Sequence, residues 1–168
     1  MPKLSHYTKK GDVSMVDVSA KPVTTRTAVA QGFVKMKPRV VNAVRRLKNP
    51  KGSPLEVARI AGIAAAKRTA EWIPLCHPLP LTHIDVTARL CQNGVELRSS
   101  VMATAQTGVE MEALVAVTAA ALTVYDMCKA LDKGIEITDV YLLEKTGGKS
   151  GDFRRREVPN GHLRGATR

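Results

Sequence analysis

Apolar and polar positions along the chain alternate with two different periods. Thr27 to Lys37, TAVAQGFVKMK, alternates around Val29, Phe33, Val34 and Met36 and predicts a first strand. Pro38 opens a helix through Val40, Val41, Val44 and Leu47, closed by Asn49-Pro50. Ser53-Pro54-Leu55-Glu56 reads as a second helix start, with a serine N-cap, proline at the first helical position and glutamate three residues after the cap. That helix is expected to reach about Trp72, before Pro74. Its Ala58, Ala61, Gly62, Ala64, Ala65 and Ala66 offer so little volume that a sheet or another helix must pack close. His83 to Leu90 and Val95 to Met102 both alternate, and the Asn93-Gly94 pair between them is a strong hairpin signal. Thr107-Gly108 leads into an apolar helix from about Val109 to Leu131, stopped by Gly134. Ile135 to Leu143 follows as the last strand, and Glu144 to Asp152 as a glycine-rich loop. The order is β-α-β-β-α-β with one helix doubled: an α+β, ferredoxin-like arrangement, an antiparallel sheet with helices over one face. At 168 residues one domain is expected, spanning 15–153, with a mobile arm at 1–14 and a basic, flexible tail at 154–168.

Composition narrows the function classes. No run approaches the eighteen or more apolar residues of a membrane span, and MPKLSHYTKKGD lacks an apolar signal core, which points to a cytoplasmic protein with no membrane partner. Cys76, Cys91 and Cys128 are an odd, widely spaced set without a CxxC, so reduced thiols are expected. The net charge of +11 suggests a polyanionic partner. Two Phe, three Tyr and one Trp, without basic and aromatic interleaving, fit single-strand nucleic-acid binding poorly. A phosphate-bearing small molecule is the better match; a basic nucleic-acid module is the competing class, and salt-sensitive binding would mark it.

Several side chains are candidates for chemistry. His77 lies between Pro74, Pro78 and Pro80, on backbone with few alternative conformations. It could be a general acid or base, a substrate contact or a plain loop histidine. Cys76 beside it reads as buried packing, since adjacent residues rarely orient each other as a nucleophile and its base. His77, His83, Cys76 and Cys91 have no recognised metal-site spacing. Glu110 and Glu112 sit at a helix N-terminus, where carboxylates complement the dipole whether or not they have another task. Asp126 and Lys129 are one turn apart and can pair. On a helix with so few charges, desolvation there could lower the lysine pKa and suit it to proton transfer. Glu112 and Asp126 are roughly 21 Å apart along a straight helix. Hence the substrate is long, or there are two sites, or a second copy of the chain brings the opposite helix end across an interface; the last is favoured. Gly148-Lys149-Ser150 is not a Walker motif, because the required earlier glycine is Leu143. A glycine-rich loop with Lys145 and Lys149 can still wrap anions, or serve only as a flexible exit. Arg154, Arg155 and Arg156 read as a solvated tail.

Read together, MVDVSAKP from Met15, ARIAGIAAAKRT from Ala58, IPLCHPL from Ile73, GVEMEAL from Gly108, VYDMCKA from Val124 and GGKSGDF from Gly147 carry a resemblance. From about Met15 to Phe153 the chain resembles the cyclic pyranopterin monophosphate synthase family, protein C of molybdenum cofactor biosynthesis. The resemblance implies a lyase that converts 3′,8-cyclo-7,8-dihydro-GTP, supplied by a radical S-adenosylmethionine GTP cyclase, into cyclic pyranopterin monophosphate and pyrophosphate. It implies a ferredoxin-like homohexamer, a trimer of dimers, with its pocket between subunits. It assigns catalysis to Asp126, Lys129 and Lys51, and substrate contact to Leu75, Cys76, His77, Met111 and Glu112, with Glu110 beside them. The loop lysine falls on Lys145, and Lys149 lies in the matching motif. Lys51, Lys145, Lys149 and Arg26 suit a triphosphate. LKNPKGS before the second helix departs from the histidine-bearing form expected of the family, while Lys51 and its glycine remain. No cofactor is expected, and magnesium only as a companion of the triphosphate.

Overall fold

A computed structural model describes residues 5–8, 10–46 and 53–156. In chain order the elements are β1 (Thr24–Lys35), α1 (Pro38–Arg46), α2 (Pro54–Ala66), α3 (Thr69–Trp72), β2 (Leu81–Cys91), β3 (Gly94–Ala105), α4 (Glu110–Cys128), β4 (Glu136–Thr146) and β5 (Phe153–Arg154). The strands form one antiparallel sheet in the order β2-β3-β1-β4-β5. This is the ferredoxin-like α+β arrangement, with a short fifth strand added at one edge.

Alternation in β1 divides its two faces. Ala28, Ala30 and Val34 are fully buried on one side. They align with Val101, Ser99 and Val95 of β3, all equally buried, and together these residues form the floor on which the helices pack. Above that floor lies α4, whose Ala113, Ala116, Val117, Ala120, Ala121 and Val124 are excluded from solvent. By length and apolarity alone α4 could cross a membrane. Here it is the core helix, covered by the sheet and α2.

The small residues of α2 have the expected cause, and two neighbours share it. A Cβ at Gly62 would stand 2.8 Å from the Ala116 carbonyl oxygen of α4 and 3.2 Å from a Val86 methyl of β2. The two helix backbones approach as closely as glycine and alanine allow.

Besides shifts of a few residues at other element ends, two boundaries and one helix cap differ from expectation. The helix from Pro54 stops at Ala66 instead of continuing to Trp72, because the chain turns at Lys67–Arg68 and restarts as α3. There Thr69 is buried and its hydroxyl donates to the Ala66 carbonyl at 3.0 Å, taking over an acceptor a continuing helix would need. Ser53 occupies the N-cap without a side-chain capping bond, so Pro54 and Glu56 carry that start. β4 continues to Thr146, placing Glu144, Lys145 and Thr146 on a strand rather than in a loop. Its pairing with β1 is interrupted by two register shifts, and Asp139 sits at φ 54.

Beyond the loop after β4 the basic residues are tied down. Arg154 donates to Glu144 through Nε and Nη2 at 3.2 and 3.0 Å. Arg155 lies 4.7 Å over the Tyr141 ring and donates to the Leu142 carbonyl. Residues 154 and 155, read from the sequence as solvated tail, are indeed exposed, with the Arg154 side chain 83% accessible, and they also pair along the sheet edge.

A two-lobed cavity at the start of the long helix

The connection Gln106–Val109, between β3 and α4, is the hub of the site. On one side the segment after α3 returns to the sheet, with a turn closed by the Cys76 N–H donating to the Ile73 carbonyl. The prolines hold this stretch so that Leu75, Cys76 and His77 are each half-buried and line a cavity of about 360 Å³ with Met111, Glu110 and Glu112. On the other side the end of β4 and the glycine loop form a cavity of about 730 Å³ lined by Arg26, Glu110, Lys145 and Lys149. Thr107, Gly108, Glu110, Lys21 and Ser5 border both. All nine side chains expected to contact substrate therefore converge on one end of the molecule.

Electrostatics distinguish the two lobes. In the smaller, Glu112 is 4% exposed, and burial with the neighbouring Glu110 charge pushes its carboxyl up to about 7, against the pull of its own backbone N–H. Burial raises the Cys76 thiol as well, with the Glu112 charge adding to it. Cys76 is half-buried against the cavity rather than packed in the core. Hydrogen bonds from Ser19 hold the Asp17 carboxylate below its usual value, and nearby His77 is the last of the contributing causes.

The larger lobe is cationic. Arg26 is only 7% exposed, and it donates through Nε to the Ala105 carbonyl and through Nη2 to the Gln106 carbonyl, each at 3.3 Å. Gly147 and Gly148, at φ 82 and 92, lie across this guanidinium; a Cβ at Gly148 would stand 1.6 Å from Nη1. The diglycine thus both makes the left-handed turn and leaves room for the arginine. Below it the Gly147 N–H donates to the Asp152 carboxylate at 3.1 Å. Lys145 donates to Glu110 at 2.8 Å.

The remaining expected residues lie elsewhere. Asp126 and Lys129 pair at 2.5 Å, as their spacing allows, at the opposite end of α4. Both are well exposed, at 69% and 54%, and Asp126 raises the Lys129 pKa. The expected lowering by desolvation is therefore reversed in the single chain, because solvent reaches the ammonium and a carboxylate holds it. Lys51 lies outside the described residues. No three His, Cys, Asp or Glu side chains gather as a metal-binding set among the described residues.

Sequence reasoning passed over Lys21, Thr107 and Gly108. Lys21 and the neighbouring Val16 and Val18 come from a stretch without regular structure, and only the MVDVSAKP motif marked it.

Known proteins resemble the chain over nearly its whole length. A cyclic pyranopterin monophosphate synthase of Thermomicrobium roseum is 51% identical over 98% of this chain and 100% of its own length. Proteins of the same name from Heliobacterium modesticaldum and Corynebacterium efficiens are 54% and 55% identical, over 94% and 91% of this chain and 100% and 99% of theirs. The model of the MoaC family matches residues 15–148, which include all of α4 and most of the residues lining the two lobes but not Lys149, and the chain belongs to that family.

Proposed function

We propose that this chain is a cyclic pyranopterin monophosphate synthase of molybdenum cofactor biosynthesis, converting 3′,8-cyclo-7,8-dihydro-GTP to cyclic pyranopterin monophosphate with release of pyrophosphate. The observation that carries the reading is the pairing of lobes around Glu110. One is cationic and large enough for phosphates; the other is half-buried and lined by Leu75, Cys76, His77, Met111 and Glu112. A substrate with a triphosphate at one end and a purine-derived ring at the other suits that division. Relatives at about half identity over nearly their whole length bear the name of this activity.

In this reading Arg26, Lys145 and Lys149 hold the triphosphate. As a hydroxyl of the former ribose gives its proton to a neutral lysine amine or water and attacks the α-phosphorus, the bond from that phosphorus to the oxygen it shares with the β-phosphate breaks and pyrophosphate leaves with that oxygen. The cations offset the negative charge gathering on the leaving group. Ring rearrangement needs proton transfers, assigned to Lys51 and Lys129. Asp126 keeps Lys129 protonated, which suits it to begin as an acid. His77 contacts the substrate. Magnesium, where it accompanies the triphosphate, would be held by phosphate oxygens, since the described side chains form no ligand set for it.

Asp126 stands roughly 21 Å, and Lys129 roughly 26 Å, from Glu112 along the axis of α4. One pocket can use both ends only when a second copy supplies the far end, so the active form is an oligomer with its sites between subunits. We take it to be a cytoplasmic homohexamer, a trimer of dimers, fed by a radical S-adenosylmethionine GTP cyclase. The test is to incubate the purified chain with the cyclo-dihydro-GTP intermediate and follow pyrophosphate and an oxidisable pterin. Appearance of both in equal amounts is expected; appearance of neither overturns the assignment.

A further inference from the structure

The larger lobe has one acid among its described cations. Lys21, Arg26, Lys145 and Lys149 line it, and the only carboxylate among the described lining residues is Glu110. Glu110 opens α4, where the helix dipole alone would account for an acid. Yet its side chain does not simply cap the helix. It reaches across to β4, where Lys145 donates to Oε1 at 2.8 Å, each side chain being 28% exposed. The preceding loop leaves space for that pose: a Cβ at Gly108 would stand 1.9 Å from Glu110 Oε2. With any other residue at 108 the carboxylate could not fold back over the loop.

We infer that Glu110 is a displaceable counterion, which holds Lys145 and yields it to phosphate oxygens when a polyphosphate enters. The inference rests on reading this lobe as the triphosphate end. An ammonium has three donors, so Lys145 can take a phosphate oxygen before it releases the carboxylate, and the exchange never exposes an unpaired lysine. Binding of the anion therefore has to break the Lys145–Glu110 pair, and that competition for the ammonium weakens the anion's hold. Glu110 is thus a positioning residue, acting through Lys145, and it limits how tightly pyrophosphate is retained after turnover.

The probe is inorganic pyrophosphate, titrated calorimetrically into the full chain and into Glu110→Gln, Glu110→Ala, Lys145→Ala and the Glu110→Gln/Lys145→Ala double variant. Glutamine keeps the size of the side chain and removes its charge. Glu110→Gln and Glu110→Ala are expected to bind pyrophosphate about tenfold more tightly than the unaltered chain, the scale of one partly screened charge. Glu110→Gln should also turn over more slowly as product release lags. In the Lys145→Ala background the same change should tighten binding by clearly less, because the two residues act as a pair. Unchanged or weaker binding by folded Glu110→Gln and Glu110→Ala overturns the inference, and so does equal tightening in both backgrounds. Binding of pyrophosphate by none of the proteins overturns the phosphate reading of the lobe, and the counterion role with it.

Discussion

Replacing Glu112 by glutamine should stabilise the protein while impairing it. The folded chain holds this carboxyl's pKa at about 7, against an ordinary value of 4.5, chiefly because burial penalises the charged form. Below about pH 4.5 the proton is bound in both folded and unfolded chains, and the carboxyl costs nothing. Between 4.5 and about 7 the unfolded chain has released its proton while the folded chain still holds one, so stability falls with each pH unit and levels off above the folded value. At 1.36 kcal/mol for each pH unit the cost above pH 7 approaches about 3 kcal/mol. Glu112→Gln removes that cost, offset by about 1 kcal/mol for an amide with imperfect partners. At pH 8 a net gain of about 2 kcal/mol is expected, vanishing toward pH 4.5. The assay is urea denaturation from pH 4.5 to 8.5 at fixed protein concentration, which keeps any assembly contribution constant. Parallel stability profiles for the two proteins would refute the reasoning. A variant less stable at pH 8 would show that Glu112 is ionised and paired.

Three other substitutions probe separate parts of the structure. Gly148→Ala places a methyl 1.6 Å from Arg26 Nη1 at φ 92, so the guanidinium must move; KM in the pyrophosphate-release assay should rise about tenfold with a smaller change in kcat. Gly62→Ala adds a methyl 2.8 Å from the Ala116 carbonyl oxygen, which cannot yield without parting α2 from α4. Despite about 1 kcal/mol of helix propensity in its favour, the variant should be destabilised by about 1–2 kcal/mol in chemical denaturation. Lys129→Ala removes an exposed ammonium, so the melting temperature should stay the same while turnover is abolished.

Much of this architecture was legible in the residues because local chemistry decides it. Asn93-Gly94 makes the hairpin, and β2 and β3 meet there as expected. The alanines and glycine of α2 announce a close neighbour, and both a helix and a strand answer. The convergence of His77, Glu110 and Lys145, far apart in the chain, followed from the family motifs and not from any local pattern. The break at Lys67–Arg68 was not legible: no glycine or proline marks it, and a buried threonine hydroxyl takes the helix's acceptor. Lys145 lies on a strand because β4 absorbs irregularities at β1 and runs on, a matter of pairing that periodicity does not reveal. That Asp126 raises the Lys129 pKa in the single chain was not legible, because an apolar helix sequence does not say which face meets water.

Complementation between two inactive variants is the most direct test of a site shared between copies. His77→Ala and Lys129→Ala, carrying different tags, would be co-expressed in equal amounts and purified through both tags. Each variant alone should release no pyrophosphate from the cyclo-dihydro-GTP intermediate. In the mixed assembly some sites draw His77 and Lys129 from unaltered ends of two different copies, and turnover should return to about a quarter of the unaltered protein's or more. No turnover above that of the separate variants would contradict a site built from opposite ends of α4.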